Sequence, residues 1–360
     1  MKRILTLIVF LTLTLTACGQ NQRLIDGLVV EFQTDGEGNP TSLVVEKEGK
    51  RTGVLIAEKT SFWPHSLSSG TPEEFKTRFL EELQADTLVT AWCYPRKDRL
   101  NNTDGSGLPA YWAISIDITG ALNRNAAVLS DGTPLDVLED YDRGRTYQLP
   151  DGTELLRVWD RSGPENVYVA GLESLDDLSE PVREKIRRYY EEQGLLYDEA
   201  AELERAYAVY LEQGDHFRAS SLEQNVSPCG SSERVIYFQT NVITPLDYDE
   251  GTGTQRTICN AFDRRTGEEI DIRNLFGVPW EEVRRRIPAL ADWEIDPAAA
   301  AQMVEKLEPE YLIFQSDSLS VWFPAGTLEG EEYAYGFSVD YSAAPEGFFQ
   351  PWAIPVKPET

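Results

Sequence analysis

The sequence predicts a mixed α+β protein with an N-terminal OB-like β-barrel, a β-rich connector, and a C-terminal α+β domain that combines long antiparallel strands with several helices. Three observations support this fold class. From Asp26 to Gly120 the chain reads as three strands, a helix and two strands, the element order of a five-stranded OB barrel. Residues 121–178 carry Asp-Gly turns beside apolar residues. From Ser179 onward, two charged helical segments precede long strands of alternating hydrophobicity.

The first twenty residues, MKRILTLIVFLTLTLTACGQ, have the pattern of a secretory signal. Lys2 and Arg3 precede an apolar run at 4–15, which is too short for a bilayer span of about 20 residues. Leu-Thr-Ala-Cys resembles the bacterial lipobox, which implies cleavage before Cys18 and a diacylglycerol on its sulfur. The prediction is a signal peptide at 1–17, a lipidation site at Cys18 and a tether over 18–25. An ordinary secretory signal with a coincidental cysteine is the alternative.

The composition is that of a folded and strongly acidic protein. Hydrophobic residues make up 41% and aromatic residues 11% of the chain, which is enough for real cores. The net charge is −28, and loss of Lys2 and Arg3 with the signal peptide would make it −30. Such a surface repels nucleic acid and anionic headgroups and attracts cationic partners, or serves only solubility. We therefore expect no nucleic-acid partner, and we expect Trp92 and Trp112 in the core rather than in a binding groove.

The OB-like domain is assigned to residues 26–120. Two of its strands are joined at Gly49-Lys50, which is typical of a hairpin. Its helix begins at Thr71, because threonine is a good N-cap, Pro72 suits the first helical position, and acidic residues follow. The strands are predicted at Leu28–Thr34, Ser42–Glu48, Arg51–Glu58, Asp86–Arg96 and Ala110–Gly120, with a long loop at Lys97–Leu108.

The connector at 121–178 is predicted to hold short hairpins and one more strand at Asn166–Leu172. A helix begins at Ser179 and ends at Gly194, a residue that suits a helix C-terminus. A second helix spans Asp198–Gly214, and its Glu and Arg spacings are typical of an exposed helical face. This change of pattern marks the beginning of the C-terminal domain.

A family motif lies downstream of a predicted linker at Ser221–Glu233. Strands at Arg234–Pro245 and Gln255–Arg264 flank a hairpin tip, and they lead into NAFDRRTGEEIDIRNLF at Asn260–Phe276. This run has Asn-x-x-Asp, Thr-Gly, an Ile-x-Ile pair and Asn-Leu-Phe, and it resembles the repeating core of domain-of-unknown-function family 3298. Two later segments, YLIFQSDSLSVWF and EYAYGFSVDY, resemble the closing strands of that family.

The resemblance assigns residues 179–345 to one α+β domain and 346–360 to a C-terminal tail. The family forms the extracellular part of lysozyme-sensing anti-sigma factors and accompanies some peptidoglycan deacetylases, so it implies a partner in the cell envelope. Family members often carry Gly-Gly-Ala-His before the motif, and Glu250–Thr254 stands there instead, so any role of that histidine is absent or replaced. The residues that match the motif, all expected to be structural, are Asn260, Asp263, Thr266, Gly267, Leu275, Phe276, Gly336 and Tyr341.

The chemistry of the motif favours a turn over a catalytic aspartate. Asp263 precedes Thr266 and Gly267, a pattern in which the carboxylate accepts from the backbone and glycine takes a positive φ. The acidic run at 247–250 has the ligand type that calcium prefers, but it lacks the spacing of a calcium loop. We therefore predict no metal and no other cofactor.

Three cysteines remain after Cys18, and an odd number excludes a fully paired disulfide framework. Cys93 lies in an apolar strand and is predicted to be a buried thiol. Cys229 and Cys259 flank a predicted hairpin, so either they pair or each is a small core residue.

The sequence favours a binding module over an enzyme. His65 and His216 lie in different predicted domains, and the chain has no nucleophile elbow, zinc-helix motif or phosphate loop. No carboxylate pair for glycan chemistry stands out among 61 acidic residues. We predict a lipid-anchored extracytoplasmic binding module on the outer face of the bacterial cytoplasmic membrane, which captures a cationic, lysozyme-like protein. A cell-wall glycan-acting enzyme and a purely structural envelope lipoprotein are the alternatives.

Overall fold

The computed structural model describes residues 22–101, 107–141, 144–159, 169–247, 252–331 and 333–356. The chain has the predicted mixed α+β class and divides into two compact units, Met1–Gly152 and Thr153–Thr360. This division falls inside the stretch that the sequence assigns to a connector. The predicted signal peptide and Cys18 lie outside the described residues. Within the described ranges, no helix has the length and apolar character needed to cross a membrane.

The strands of the first unit are β1 (Arg23–Thr34), β2 (Pro40–Lys47), β3 (Lys50–Leu55), β4 (Ser61–Trp63), β5 (Thr87–Asn101), β6 (Gly107–Val128), β7 (Pro134–Asp140) and β8 (Gly144–Gln148). The unit contains the predicted three strands, helix and two strands, with an additional short strand, β4, before the helix and two further strands, β7 and β8, after it. β1 pairs with β2 and β5, β5 pairs with β6, and β6 pairs in parallel with β3, whose other neighbour is β2. The pairings therefore return to the strand from which they began. An OB-like barrel of these strands remains a prediction.

Helix α1 (Pro72–Glu82) begins where the sequence predicts, because Thr71 forms a capping box with Glu74. The Thr71 hydroxyl accepts from the Glu74 backbone N–H at 3.3 Å, and Glu74 Oε2 accepts from the Thr71 N–H at 2.8 Å. The helix then places Phe79 in the core, where it is fully buried and its ring centroid lies 4.8 Å from that of Phe62.

Trp92 and Trp112 do not lie in the core, and this part of the prediction is wrong. Ala91 and Cys93 are fully buried, so Trp92 between them faces the opposite side of β5 and is 42% exposed. Trp112 precedes the buried Ala113 on β6 and is 37% exposed. The two-residue period of the strands therefore places both indoles on the solvent face.

The connector contains a hairpin at the Asp131-Gly132 turn, which joins β6 to β7. The Asp131 carboxylate accepts from the Thr133 N–H at 2.8 Å and closes this turn. The additional strand predicted at Asn166–Leu172 lies partly outside the described residues. Its described end forms an isolated bridge at Val169 and then a 3-10 turn, rather than a strand.

The main sheet of the second unit places helices between two parallel strands. In sheet order its strands are β9 (Glu154–Trp159), β10 (Ser220–Ser231), β11 (Val235–Asp247), β12 (Thr252–Asp263) and β13 (Glu269–Ile270). β9 and β10 are parallel, and each later pair is antiparallel. Helices α2 (Glu180–Gln193) and α3 (Glu199–Gln213) lie between β9 and β10 in the chain, as a parallel connection requires.

The linker predicted at Ser221–Glu233 is wrong, because this stretch forms β10. Leu222 and Val226 are fully buried in an alternating pattern. Gln224 between them is also buried, and its amide accepts from the Leu196 N–H at 2.8 Å and donates to the Gly194 carbonyl at 3.0 Å. Gln224 thus occupies a buried position on the strand because its hydrogen bonds are satisfied there.

The two faces of β11 support different layers of the second unit. Ile236 and Phe238 face α2, whose residues Val182, Ile186 and Tyr190 are buried against them. Val235 and Tyr237 face a second core, which contains an antiparallel sheet and two more helices. These elements are β14 (Leu312–Phe314), β15 (Ser318–Phe323), β16 (Tyr335–Asp340), α4 (Trp280–Arg286) and α5 (Pro297–Lys306).

The segment predicted as a C-terminal tail, residues 346–360, contributes to this second core in its described part. Phe348, Phe349 and Ala353 are buried there. The Tyr237 hydroxyl donates to the Ala353 carbonyl at 2.5 Å, so the segment is bonded to the centre of the main sheet.

Substitution of Phe79 measures how far the first core depends on α1. Phe79→Ala removes a fully buried ring and should lower the free energy of unfolding by about 3–5 kcal/mol. Phe32→Ala on β1 removes a ring that is 42% exposed, and it should cost no more than about 1 kcal/mol. Urea unfolding of the soluble chain, followed by circular dichroism, compares the two variants. Equal losses would contradict the assignment of Phe79 to the core.

Candidate functional site

The Asp263 side chain closes the turn at the end of β12. Its Oδ1 accepts from the backbone N–H of Arg265 at 2.9 Å and of Thr266 at 3.1 Å. Partial burial acts in the opposite direction, but these bonds and the Arg234 guanidinium hold the pKa of Asp263 below its usual value. The carboxylate therefore serves the turn, in the manner that the motif spacing predicts.

Gly267 allows this turn to lie against helix α2. Its φ is +69°, in the left-handed region, and its N–H donates to the Asp263 carbonyl at 2.8 Å. A Cβ at this position would lie 3.0 Å from Lys185 Cβ and 3.2 Å from the Val182 carbonyl oxygen. Lys185 also donates to the Thr266 carbonyl at 3.1 Å, so helix and turn are in direct contact.

Asn260 is a buried residue at the centre of a hydrogen-bond network that reaches the surface at Glu269. Its Nδ2 donates to Tyr189 Oη at 2.9 Å and to Glu269 Oε1 at 3.2 Å, and its Oδ1 accepts from Tyr190 Oη at 3.4 Å. Tyr189 Oη donates to the same Glu269 oxygen at 2.8 Å. Because a carboxylate only accepts, the amide nitrogen must face Glu269, and this fixes the orientation of Asn260. The network joins α2 to β12 and β13.

The two tyrosines of the network are held in their neutral form. Burial raises the pKa of Tyr189, and its hydrogen bond to Glu269 raises it further. Burial also raises the pKa of Tyr190 well above its ordinary value. Both hydroxyls therefore remain donors at neutral pH, and the Glu269 carboxylate remains oriented.

A cavity of about 860 Å³ lies beside this network. Its wall combines the last turn of α2, the middle of β12 and the residues that follow β13. The charged side chains of the wall are four carboxylates and two guanidiniums, namely Glu269, Asp271, Glu308, Glu310, Arg256 and Arg273.

The charges of this cavity do not balance. Arg256 pairs with Glu310 at 3.0 Å, and Arg273 pairs with Asp271 at 3.2 Å. Among the ion pairs of the described residues, neither Glu269 nor Glu308 has a basic partner, so the wall carries two excess carboxylates. Such a site suits a cationic side chain of a partner. Over the described ranges, no group of three His, Cys, Asp or Glu side chains is placed to hold a metal ion.

The remaining motif residues serve the second core. Leu275 and Phe276 are buried there, although Ile272–Leu275 is a 3-10 turn and the strand predicted to end at them is only the two residues of β13. A Cβ on Gly336 would lie 2.5 Å from Cε3 of Trp322, so only glycine fits under that ring. The Tyr341 hydroxyl donates to the Gln315 carbonyl at 2.9 Å, and burial raises its pKa.

The three described cysteines are free thiols. Burial raises the pKa of Cys93 to about 11, against a smaller effect of Arg23. The thiols of Cys229 and Cys259 are hydrogen-bonded neighbours, and this bond together with burial raises the pKa of Cys229 well above its ordinary value. Of the two alternatives for this pair, the structure shows reduced core residues.

The histidines lie in ordinary surroundings. The His65 ring stacks on Tyr141 with centroids 4.0 Å apart, and the His65 backbone N–H donates to Glu82 at 2.8 Å. His216 is exposed in a short turn after α3. Neither contact resembles a base activating a nucleophile.

The first unit has a cavity of about 680 Å³ beside Trp63 and Phe75, whose ring centroids are 5.1 Å apart. Its acidic side chains, Asp35, Glu58 and Glu73, are exposed. The cavity beside Asn260 is the stronger candidate, because the buried Asn260 amide and the Tyr189 hydroxyl hold one of its carboxylates, Glu269, in place before a ligand arrives.

Sequence reasoning identified Asn260 but missed the groups around it. Tyr189 lies in a predicted helix, Glu269 lies on the two-residue strand β13, and Glu308 follows a helix that was not predicted individually. They are brought together only by the docking of α2 on β12, so no local spacing marks them. The adjacent tyrosines Tyr189 and Tyr190 near the end of a charged helix were the one available signal.

Two glycine substitutions test the contact between the motif turn and α2. Gly267→Ala and Gly326→Ala both place a side chain at positive φ, +69° and +73°, and each should cost about 1–2 kcal/mol of unfolding free energy. Only Gly267→Ala adds an atom against Lys185 and Val182, whereas nothing lies within 4 Å of a Cβ at Gly326. Thermal or urea unfolding should therefore show the larger loss for Gly267→Ala. Equal losses would mean that the turn does not depend on α2.

Comparison with known proteins gives matches only among solved structures. No protein-family model matches the chain, and no curated protein matches it. A DUF3298 family protein from Pseudomonas aeruginosa PAO1 is 10% identical with a TM-score of 0.29, and the match covers 73% of this chain and 97% of that one. A DUF3298 family member from Bacteroides fragilis is 9% identical with a TM-score of 0.30, covering 64% and 92%. A likeness this weak transfers no residue roles, and both structures come from the family that the Asn260–Phe276 motif resembles.

Proposed function

We propose that the chain is a lipid-anchored extracytoplasmic binding module of the bacterial cell envelope, which captures a cationic protein through the cavity beside Asn260. The observation that carries this proposal is the pair of carboxylates in the cavity wall, Glu269 and Glu308, for which the described residues supply no basic partner. The lipobox at Cys18 supports the location, and the family resemblance supports an envelope partner such as lysozyme. The five strands that return to β1 are proposed to form an OB-like barrel near the anchored end of the chain.

In this proposal the cavity recognises a lysine or arginine side chain. Glu269 accepts hydrogen bonds from Tyr189 and Asn260 at one oxygen, which leaves its other oxygen to accept from the partner. Because Asn260 and both tyrosines already fix the carboxylate, binding does not have to order it. The net charge of −28 would steer a basic protein toward the chain, and the cavity would provide the specific contact.

Calorimetry with a c-type lysozyme tests capture and the role of the cavity together. The soluble chain, residues 19–360, should bind in the micromolar range or tighter at about 0.15 M salt, where screening acts within about 8 Å. Glu269→Gln/Glu308→Gln keeps the side-chain shapes and one acceptor oxygen on each residue, but it removes two charges and replaces the second oxygen of each by an NH2 donor. It should weaken binding at least about tenfold, or about 1.4 kcal/mol.

A matched control removes the same charge from the surface of the same unit. Glu329 and Glu331 are exposed, and Glu329→Gln/Glu331→Gln should change the affinity by less than about twofold. Equal weakening by the two double variants would show that only net charge matters. Binding that disappears at physiological salt would leave the structural lipoprotein as the better function, and hydrolysis of cell-wall glycan would favour the enzyme.

Lipidation of Cys18 is tested separately, by fractionation and mass spectrometry of the full chain expressed in a bacterial host. The chain should be found with the membrane and should carry a diacylglycerol mass on a peptide that begins at Cys18. Cys18→Ser should move it to the soluble fraction, whereas Cys229→Ser should leave it on the membrane. A soluble wild-type chain would refute the anchoring.

A further inference from the structure

The solvent face of the first unit carries a continuous patch of large apolar side chains. The patch consists of Leu24 on β1, Trp92 and Tyr94 on β5, and Trp112 on β6. Their side chains are 48%, 42%, 55% and 37% exposed, in that order. Exposed aromatic residues gathered on one sheet face are typical of an interaction surface.

The strand register places these four side chains next to one another. Leu24 lies directly opposite Trp92 in the β1–β5 pair. Trp92 and Tyr94 flank the inward-facing Cys93, so both face outward on β5. Cys93 pairs with Ala113, which brings Trp112 on β6 beside the Tyr94 end of the patch.

The charged side chain beside the indoles on this face is acidic and is already bonded. Asp98 on β5 accepts a hydrogen bond from Trp112 Nε1 at 3.2 Å, so it lies on the same face as the patch. Lys97 and Arg99 flank Asp98 and therefore face the other side of β5. The patch itself is thus aromatic and apolar rather than basic.

The patch begins six residues after the proposed lipid anchor. From Cys18 to Leu24 a fully extended chain spans roughly 20 Å at about 3.3–3.6 Å per residue. The start of β1 therefore cannot move far from the bilayer surface once Cys18 is anchored. We propose that the face formed by Leu24, Trp92, Tyr94 and Trp112 lies at the membrane–water interface on the outer side of the cytoplasmic membrane and orients the first unit there. This inference rests on the proposed anchoring at Cys18.

The chemistry of the patch fits a lipid interface. Tryptophan and tyrosine are enriched at this depth, because their rings are apolar and their N–H or O–H groups remain hydrated. The chain as a whole is acidic and is repelled by anionic headgroups, so the aromatic face and the short tether, rather than charge, would hold the unit at the interface.

Quenching of tryptophan fluorescence by brominated lipids tests this contact. A chain that begins at Cys18 is coupled through that thiol to a maleimide-bearing lipid in phosphatidylcholine–phosphatidylglycerol vesicles, which supplies the anchor whether or not the cell attaches one. Cys93 and Cys259 are buried, and a Cys229→Ser background removes the remaining partly exposed thiol. Trp92→Phe/Trp112→Phe should lower the quenched signal at least about twofold, because these indoles would lie at the interface.

The control is Trp293→Phe, which removes an indole of similar exposure, 49%, from the second unit, and it should leave quenching nearly unchanged. Quenching that survives Trp92→Phe/Trp112→Phe would overturn the proposal. So would self-association of the uncoupled chain that protects the same two indoles, since the face would then be covered by a second copy.

Discussion

The second unit depends on one buried amide. Asn260 is 8% exposed, and each polar atom of its side chain has a partner on another element: a tyrosine pair on α2 and a glutamate on β13. An unsatisfied amide at this depth would cost about 1–3 kcal/mol, so the network permits only a narrow range of positions for the helix relative to the strand. The turn at Asp263 and Gly267 also restricts the position of α2, because Gly267 packs against this helix and Lys185 of the helix donates to the Thr266 carbonyl.

This constraint also explains how a charged cavity exists beside a well-packed core. Phe238 and Phe262 pack against Tyr190, and the tyrosine hydroxyl points from that apolar cluster toward Asn260. Tyr189 lies one residue earlier and faces the cavity wall with Glu269. Of the two adjacent tyrosines, Tyr190 thus belongs to the apolar core and Tyr189 to the polar cavity wall. The Glu269 carboxylate is held where the core and the cavity meet.

The strands with clear alternation and the helices with clear caps were predictable from sequence. Thr71 and Gly194 mark helix ends by local chemistry, and both helices were found within a residue or two. β10 was missed because Ser220 and Gln224 look like linker residues, and only the distant contacts of Gln224 with Gly194 and Leu196 make it a buried strand. The cavity was not predictable for the same reason, since its carboxylates meet through tertiary packing. The assignment of the indoles of β5 and β6 to the core failed because hydrophobicity alone does not say which strand face is covered.

The parallel pairing of β9 with β10 has a consequence for the order of assembly. Leu156 lies beside Ser220, so the two strands pair across an intervening segment that contains α2 and α3. Closing so long a loop costs entropy before the contact returns any energy, and such non-local pairings form slowly. A chain that emerges with its N-terminal end first cannot pair β9 with β10 until both helices and β10 have also emerged. Completion of the second unit therefore waits for the last of these elements, and until then an incompletely paired strand remains exposed to other chains.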